Sequence, residues 1–122
     1  MQSMTVWFEI PVLDMDRAKK FYEEVFEIEI HVGEMGDSTL GFFPRDGWAN
    51  SGVLALHPNK KPTTDGVLIY FNAGEDMTPV QARVEQAGGK MMMTKCEIGG
   101  DNGYMALFVD TEGNQLGLWS PK

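Results

Sequence analysis

The chain has few of the cysteine and histidine residues with which very small proteins form the disulfides and metal sites that replace a large core. Its 122 residues include one cysteine, Cys96, and two histidines. A single cysteine excludes an intramolecular disulfide and favours a reducing compartment, so we expect a cytoplasmic protein. A chain of this length can bury roughly two-thirds of its unfolded surface in one compact domain, so its core requires neither disulfides nor a structural metal.

Long apolar segments and an excess of positive charge are also missing. No window approaches the roughly 18 consecutive apolar residues of a membrane helix. The first four residues lack the basic and apolar stretches that are typical of a signal peptide. Ten basic against eighteen acidic side chains give a net charge of −8. This charge repels nucleic acids and anionic membranes, so we expect neither as a partner, and it favours solubility or a cationic ligand.

The sequence does contain a repeat, because the same order of elements occurs twice at a spacing of about 60 residues. Each half opens with a segment rich in β-branched and aromatic residues, at 5–11 and again at 66–72. A helical pattern follows each segment, and three short strand candidates follow each helix, at 28–32, 39–43 and 53–57 and at 90–94, 104–109 and 115–120. We therefore predict one α+β domain over residues 1–122, built of a βαβββ module at about 4–58 and a second at about 65–120. A parallel βαβ protein or a ferredoxin-like βαββαβ order matches less well, because three consecutive strands are typical of antiparallel meanders.

The two helical segments carry different boundary signals. In the first, Asp14 is a candidate N-cap, and an apolar stripe at helical spacing follows it, made of Met15, Ala18, Tyr22 and Val25 with Phe21 beside it. In the second, the order Thr78-Pro79-Val80-Gln81 predicts an N-cap at Thr78, a proline in the first turn and a capping box closed by Gln81. The pair Gly88-Gly89 is expected to end this helix.

Motifs in both halves resemble those of a known superfamily. The order Phe8-Glu9-Ile10-Pro11-Val12-Leu13-Asp14, then Arg17-Ala18 and Phe21-Tyr22-Glu23-Glu24-Val25-Phe26, resembles the strand, V-x-D turn and A-x-x-F-Y helix that open its modules. The segment 108–116 resembles its D-P-x-G-N hairpin, with Thr111 in place of the usual proline. The chain is thus similar to the glyoxalase/bleomycin-resistance/dioxygenase, or vicinal oxygen chelate, superfamily. The resemblance implies strands that curl into an open cup with the helices outside, completed within one chain or across a homodimer.

The resemblance also implies a divalent metal held by side chains on the first and last strands of each module. Matching the motifs places those four ligands at Trp7, Ala55, Val67 and Gly117, none of which can bind a metal through its side chain. A shift of two residues offers Glu9, His57, Ile69 and either Gln115 or Trp119, which amounts to one carboxylate, one imidazole and at most one amide. Because an open metal site normally has at least three good protein ligands, we predict no metal cofactor, with a divalent metal as the alternative.

The alternation of side chains along each strand predicts which of them face the cup. Val6, Phe8 and Ile10 form an apolar face beneath the helix, so Trp7 and Glu9 should point into the cup. The same argument selects one face of the fourth, fifth and last strands: Val53, Ala55 and His57; Val67, Ile69 and Phe71; Gln115, Gly117 and Trp119. Trp48 lies on a loop that could cover the mouth of the cup. The predicted ligand-binding residues are therefore Trp7, Glu9, Trp48, His57, Ile69, Phe71 and Trp119.

This lining predicts a site for a small organic molecule, aromatic or cationic, that is bound without a metal. Glu9 would be its charge partner and is also the candidate catalytic residue, as a general base, although a purely structural carboxylate fits the same pattern. The sequence leaves open whether the molecule is sequestered, as in bleomycin resistance, or turned over by a lyase, isomerase or dioxygenase-like reaction. The resemblance also implies a metal-dependent lactoylglutathione lyase-like or dioxygenase-like enzyme as an alternative. A non-catalytic interaction protein whose aromatic side chains fill the cup is the second alternative.

The sulfur-containing residues of the second half have a structural interpretation in the sequence. Lys95 is the one basic neighbour of Cys96 in the sequence, and its side chain should point the opposite way, so a reactive cysteine is not expected. The run Met91-Met92-Met93 is typical of adaptable core packing.

Overall fold

The computed structural model describes residues 3–47 and 50–122. In these residues the predicted order of strand, helix and three strands occurs twice. The elements are β1 Trp7–Pro11, α1 Met15–Phe26, β2 His31–Met35, β3 Ser38–Phe42, β4 Ser51–Leu56, β5 Tyr70–Asn72, α2 Thr78–Gln86, β6 Lys90–Glu97, β7 Tyr104–Val109 and β8 Gln115–Ser120. Neither α1 nor α2, the helices of the described residues, is long and apolar enough to cross a membrane.

The strands form two four-stranded sheets of identical topology. The strand order is β1-β4-β3-β2 in the first sheet and β5-β8-β7-β6 in the second. In each sheet the first strand pairs in parallel with the last, while the remaining pairs are antiparallel. These mixed sheets with two helices confirm the predicted α+β class.

Helices and sheets share one hydrophobic core. The buried cluster joins Tyr22 of α1 and Val84 of α2 to Leu54 of the first sheet and Leu118 of the second. The two helices also contact each other. Because this cluster is continuous across both halves, each half buries its apolar side chains partly against the other. We call the sheet surface turned away from this core the cup face.

The first helix begins and packs as its sequence predicts. Asp14 has an extended backbone (φ −142°), and its carboxylate accepts a hydrogen bond from the Arg17 backbone N–H at 3.1 Å. The predicted apolar stripe is buried, with exposures between 0% and 7%: Met15, Ala18, Phe21, Tyr22 and Val25. The helix ends at Glu27, whose left-handed conformation (φ 56°) stops the helical hydrogen bonding.

The start of the second helix differs from the prediction. Thr78 is the first helical residue and Met77 is the N-cap, which makes no side-chain capping bond. The carboxylate of Asp76 accepts hydrogen bonds from both the backbone N–H and the hydroxyl of Thr78, at 2.9 and 2.7 Å. The predicted capping box is wrong, because Gln81 Oε1 instead accepts the Lys95 backbone N–H at 2.7 Å. The end is as predicted, with a left-handed Gly88 (φ 102°) immediately after the last turn.

Strand bounds agree with the sequence best in the second half. β7 and β8 have the predicted bounds, whereas β2 begins at His31 rather than at residue 28. Ile28 and Ile30 belong to the segment that connects α1 to β2, and their side chains pack against the core. The Ile30 N–H donates to Glu23 Oε2 of α1 at 2.8 Å, so it does not take part in strand pairing. β5 starts at Tyr70 rather than at residue 66, because only its last three residues pair in register with β8.

The hairpin between β7 and β8 is tied to α1 by Asp110. One oxygen of its buried carboxylate accepts the backbone N–H groups of Glu112, Gly113 and Asn114, each at 2.9 Å. The other accepts the hydroxyl of Tyr22 at 2.6 Å. Burial and the negative charge of Asp110 raise the pKa of Tyr22 well above its ordinary value, so its phenol remains a hydrogen-bond donor.

Glu112 makes the second tie between this hairpin and α1. Its fully buried carboxylate accepts the Leu13 and Asp14 backbone N–H groups, both at 2.8 Å, at the point where α1 begins. Arg17 donates to the same carboxylate from Nε at 2.7 Å. Burial alone would raise the pKa of Glu112, but the hydrogen bonds from Arg17, the two amides and Thr111 outweigh it and hold this pKa below its ordinary value.

Candidate functional site

Two cavities open where β1 meets the segment that leads into β5. The first, about 300 Å³, is lined by Thr5, Trp7, Phe8, Asn50, Ser51, Val67 and Ile69, and we call it the Trp7 cavity. The second, about 290 Å³, is lined by Glu9, Ile10, Pro11, Thr63, Gly66, Val67, Ile69, Asn114, Gln115 and Leu116, and we call it the Glu9 cavity. Val67 and Ile69 line both cavities. The structure thus brings together three of the predicted ligand-binding residues, namely Trp7, Glu9 and Ile69.

The Trp7 cavity presents aromatic and aliphatic surface. The side chain of Trp7 is 42% exposed, on the side of β1 opposite Phe8 and Ile10, as the alternation predicts. Its ring centroid lies 6.4 Å from that of Phe42, and the guanidinium carbon of Arg45 lies 5.8 Å from it. An indole that is accessible and already contacts a cation can also stack on an aromatic or cationic ligand.

The Glu9 cavity adds a carboxylate to this apolar surface. Glu9 is half-exposed, and its Oε1 lies 3.7 Å from Nζ of Lys60 on the segment that links the two halves. Both partners are accessible to water, so this ion pair is weak and can exchange for another cation. The segment that links the two halves is hydrogen-bonded to residues at the start of β8, which line the same cavity. The backbone N–H of Thr63 donates to Asn114 Oδ1, and the Thr63 carbonyl accepts the Gln115 N–H.

The predicted orientation of the fifth strand is wrong by one residue. Phe71 packs against the core instead of facing the cup, with its ring 4.8 Å from Phe26 and 5.8 Å from Phe43. Tyr70 takes the cup face and is 43% exposed. Its ring covers Gly117, where an added Cβ would overlap it. In the sequence, Gly117 is the feature that indicates room for a large side chain opposite it, at Tyr70.

Two other predicted residues line neither of the two cavities. His57 follows the end of β4 in a turn, where its Nδ1 accepts the Asn59 N–H at 3.1 Å. Trp119 is on the cup face of β8, 37% exposed, and its indole N–H donates to the Asn102 carbonyl at 2.8 Å. Trp48 lies outside the residues that the structure describes.

The residues of the cup face do not fit the divalent metal that the resemblance implies. At the four matched positions, Trp7 lines a cavity, Ala55 is a buried alanine, Val67 is exposed and Gly117 lies under the Tyr70 ring. Over residues 3–47 and 50–122, no three His, Cys, Asp or Glu side chains form a group that could hold a metal ion. Within the described residues, Glu9 therefore belongs to no such group of three.

The topology and the site together define a family. The chain belongs to the Glyoxalase/Bleomycin resistance protein/Dioxygenase superfamily, whose sequence profile matches residues 5–118. Among curated proteins, it is 26% identical over 115 residues to the protein named "Putative glyoxylase CFP32" of Mycobacterium bovis and of Mycobacterium tuberculosis. That match covers 93% of this chain but 44% of the relative, so the chain spans less than half the length of the curated proteins it resembles.

Solved structures share the architecture over the whole chain. A glyoxylase/bleomycin resistance protein/dioxygenase domain from Frankia sp. EAN1pec has a TM-score of 0.75 at 19% identity, with complete coverage of both chains. TnmS3, an antibiotic binding protein from Streptomyces sp. CB03234, has a TM-score of 0.65 at 25% identity and covers 100% of this chain and 99% of its own. The likeness to the Frankia domain establishes the fold and carries no activity.

Proposed function

We propose that this protein binds a small organic molecule with an aromatic ring and a positive charge along β1, without the help of a metal. The observation that carries the proposal is the adjacency of the Trp7 and Glu9 cavities, which share Val67 and Ile69. A ring of the ligand would occupy the Trp7 cavity, and its cationic group would replace Lys60 beside Glu9. The net charge of −8 favours the approach of such a molecule. A solved relative of the same length that is an antibiotic binding protein makes sequestration the leading form of this function.

A pair of probes that differ only in charge tests this arrangement. N-methylquinolinium carries a permanent positive charge, whereas quinoline has the same ring system and is neutral at pH near 7. We expect saturable quenching of tryptophan fluorescence by both, with tighter binding of the cation. Glu9→Gln should remove the preference for the cation, and Trp7→Leu should weaken both probes, because one residue supplies charge and the other stacking area. Glu34→Gln, on β2 and away from both cavities, is the matched control for charge. No saturable binding, or binding that both variants retain, would contradict the proposal.

Independence from metal is tested separately. Metal-stripped protein is titrated with Ni²⁺, Zn²⁺, Mn²⁺ and Fe²⁺ while thermal unfolding is followed. A specific ion at about a hundredfold over its dissociation constant would add roughly 2.7 kcal/mol and raise the melting temperature by several degrees. We expect no shift that depends on Glu9 or His57. A saturable shift that Glu9→Ala and His57→Ala abolish would instead favour the metal-dependent lyase or dioxygenase.

We further infer that two copies of the chain form a homodimer that completes the cup in the cytoplasm. The support for a dimer is the exposed apolar surface beside the cavities, where Val67 is 91%, Tyr70 43% and Trp7 42% exposed. Surfaces of this kind are usually covered by a partner. Light scattering should report about twice the 13.6 kDa of one chain. Val67→Asp should shift the protein to single chains, whereas Val32→Asp should not. A single-chain mass for the unmodified protein at high concentration would contradict the dimer.

A further inference from the structure

Strand β6 contains two irregularities that set the direction of its sulfur-containing side chains. Its Cα partners on β7 are Phe108 for Met91, Leu107 for Met93 and Met105 for Cys96, with a register shift after each of the first two pairs. Between the last two pairs, two residues of β6 face a single residue of β7, which is a β-bulge. In a regular strand, residues three apart point to opposite faces. The bulge therefore returns Cys96 to the face that Met93 occupies.

That face is the cup face of the second sheet. Ala106 and Phe108 of β7 are buried in the core, so Met105 and Leu107 point away from it. Directly opposite residues of an antiparallel pair share a face, which places Cys96 beside Met105 and Met93 beside Leu107. One thiol and two thioethers thus lie together on this face, each of them partly accessible.

The bulge is anchored from the other side of the sheet. The backbone N–H of Lys95, within the bulge, donates to Gln81 Oε1 of α2 at 2.7 Å. The Lys95 ammonium donates to Asp76 at 3.0 Å, so the lysine side chain is drawn away from the sulfur atoms. Gln81, which the sequence assigns to a capping box, therefore fixes the part of the strand that directs Cys96.

Two of the three sulfur atoms have the spacing of ligands to a common ion, and Met105 lies directly opposite one of them, Cys96. Sγ of Cys96 and Sδ of Met93 lie 4.0 Å apart. With metal–sulfur bonds of about 2.3 Å, two ligands at 120° around one ion lie about 4.0 Å from each other. Thiolate and thioether donors are soft and favour Cu⁺, with Zn²⁺ as the divalent competitor for the thiolate, whereas hard ions such as Mg²⁺ and Ca²⁺ prefer oxygen ligands.

We propose that Cys96, Met93 and Met105 form a three-coordinate site for a soft monovalent cation, Cu⁺ or its chemical analogue Ag⁺. The thiol proton is released to solvent when the ion binds, so the site takes up one positive charge and loses another. No change of oxidation state is involved. This site is separate from the Trp7 and Glu9 cavities, neither of which is lined by any of the three sulfur residues.

Anaerobic competition between the full chain and bicinchoninate for Cu⁺ tests the site, and calorimetry with Ag⁺ provides a redox-inert repeat. We expect one ion per chain. Cys96→Ser should weaken binding by more than about 100-fold, and Met93→Leu and Met105→Leu by at least about tenfold each. Replacing a residue that only supports a ligand typically lowers metal affinity about 10- to 100-fold, and replacing the ligand itself should lower it at least as much. X-ray absorption should report three sulfur neighbours at about 2.3 Å.

Met92→Leu is the matched control, since Met92 is 51% exposed in the same strand and is not a ligand in this arrangement. It should bind Cu⁺ as the unmodified chain does. Leucine is close to methionine in volume, and a urea midpoint measured for each variant identifies any loss of folding. The proposal is overturned if no one-to-one complex forms, if both methionine variants bind normally, or if Zn²⁺ binds equally well through the same residues.

Discussion

Glu112 lies in a hairpin loop, 95 residues along the chain from Arg17, and its carboxylate is nevertheless completely buried. It accepts the two backbone N–H groups that precede α1, so a residue of the second half completes the start of a helix in the first. A carboxylate in this position is more favourable than a neutral group, because the positive end of the helix dipole adds to the hydrogen bonds.

Replacement of Glu112 by glutamine should destabilise the protein by about 1–3 kcal/mol at neutral pH, since hydrogen bonds to a buried charge are lost. The folded-state pKa of Glu112 is lowered, so its contribution is present above the pKa of the unfolded state and is lost as the pH falls. The difference between Glu112→Gln and the unmodified protein should therefore shrink below about pH 4.3. Urea unfolding across this range measures it.

Glu24→Gln provides the comparison for this pH series, because Glu24 is on the same helix and is exposed. Its effect on the free energy of unfolding should be small at neutral pH. A Glu112→Gln deficit that stays constant down to strongly acidic pH would contradict the role assigned to the Glu112 charge.

At the scale of elements, the start of α2 shows how a neighbouring strand can replace a local signal. Thr78 and Gln81 have the residue types of a capping box, yet Gln81 is used to hold the bulge of β6. Asp76, which precedes the N-cap Met77, instead accepts the Thr78 N–H and also binds the Lys95 ammonium from that strand. Strand β6 therefore engages Gln81, which is then not available to the start of α2, and it also stabilises Asp76 at that start through Lys95.

Asp76 should titrate with a pKa of about 2, because hydrogen bonds from the Thr78 N–H and hydroxyl, and then from Lys95, stabilise its charged form. Carbon-13 NMR of the carboxyl group measures this value directly. Thr78→Val and Lys95→Met should each raise it, whereas Lys90→Met, at the opposite end of β6, should not. The stabilising contribution of Asp76 should be present above the ordinary pKa of aspartate and be lost as the pH falls towards 2. Titration at the ordinary aspartate value would show that these hydrogen bonds to Asp76 do not form.

The orientation of β5 makes a second prediction at this scale. Phe71 lies among four aromatic rings of the first half, those of Phe8, Tyr22, Phe26 and Phe43, with centroids 4.8 to 6.0 Å away. Phe71→Ala should cost about 3 kcal/mol, at the lower end of the usual range because the ring is partly exposed. Tyr70→Ala, one residue away on the opposite face, should cost less than about 1 kcal/mol. Comparable urea midpoints for the two variants would contradict the assigned orientation.

At the scale of the whole molecule, the two halves should unfold together. Phe71 of the second half packs within the core of the first, and the hairpin at 110–114 completes the start of α1. Neither half can therefore lose its structure without exposing apolar surface and buried carboxylates of the other. Cooperative unfolding of small domains arises from shared interactions of this kind.

Variants that retain only Trp7 or only Trp119 report on the two halves separately. Fluorescence of each variant should give the same urea midpoint as its own far-ultraviolet circular dichroism, because one transition is expected. Trp7 and Trp119 are 42% and 37% exposed, so replacement of either should leave the core intact, and Trp48 is replaced in both variants and in their common reference. Two separated midpoints, one for each half, would show that the modules unfold independently.

The sequence by itself determined the features that depend on neighbours in the chain. The order of the elements, the Asp14 cap of α1 and the bounds of β7 and β8 follow from periodicity and from residue types a few positions apart. The orientation of Trp7 and Glu9 also followed, since Phe8 and Ile10 mark the core face of the same strand. Each of these arguments requires only local geometry.

Only the tertiary structure decided how distant segments compete for the same groups. Phe71 faces the core because the aromatic residues of the first half surround it, and Tyr70 faces the cup because Gly117 leaves room for its ring. Gln81 binds a strand 14 residues away, and the bulge it holds aligns Cys96 with Met93. Such choices depend on contacts between segments that the chain brings together only on folding, so no local pattern of residues contains them.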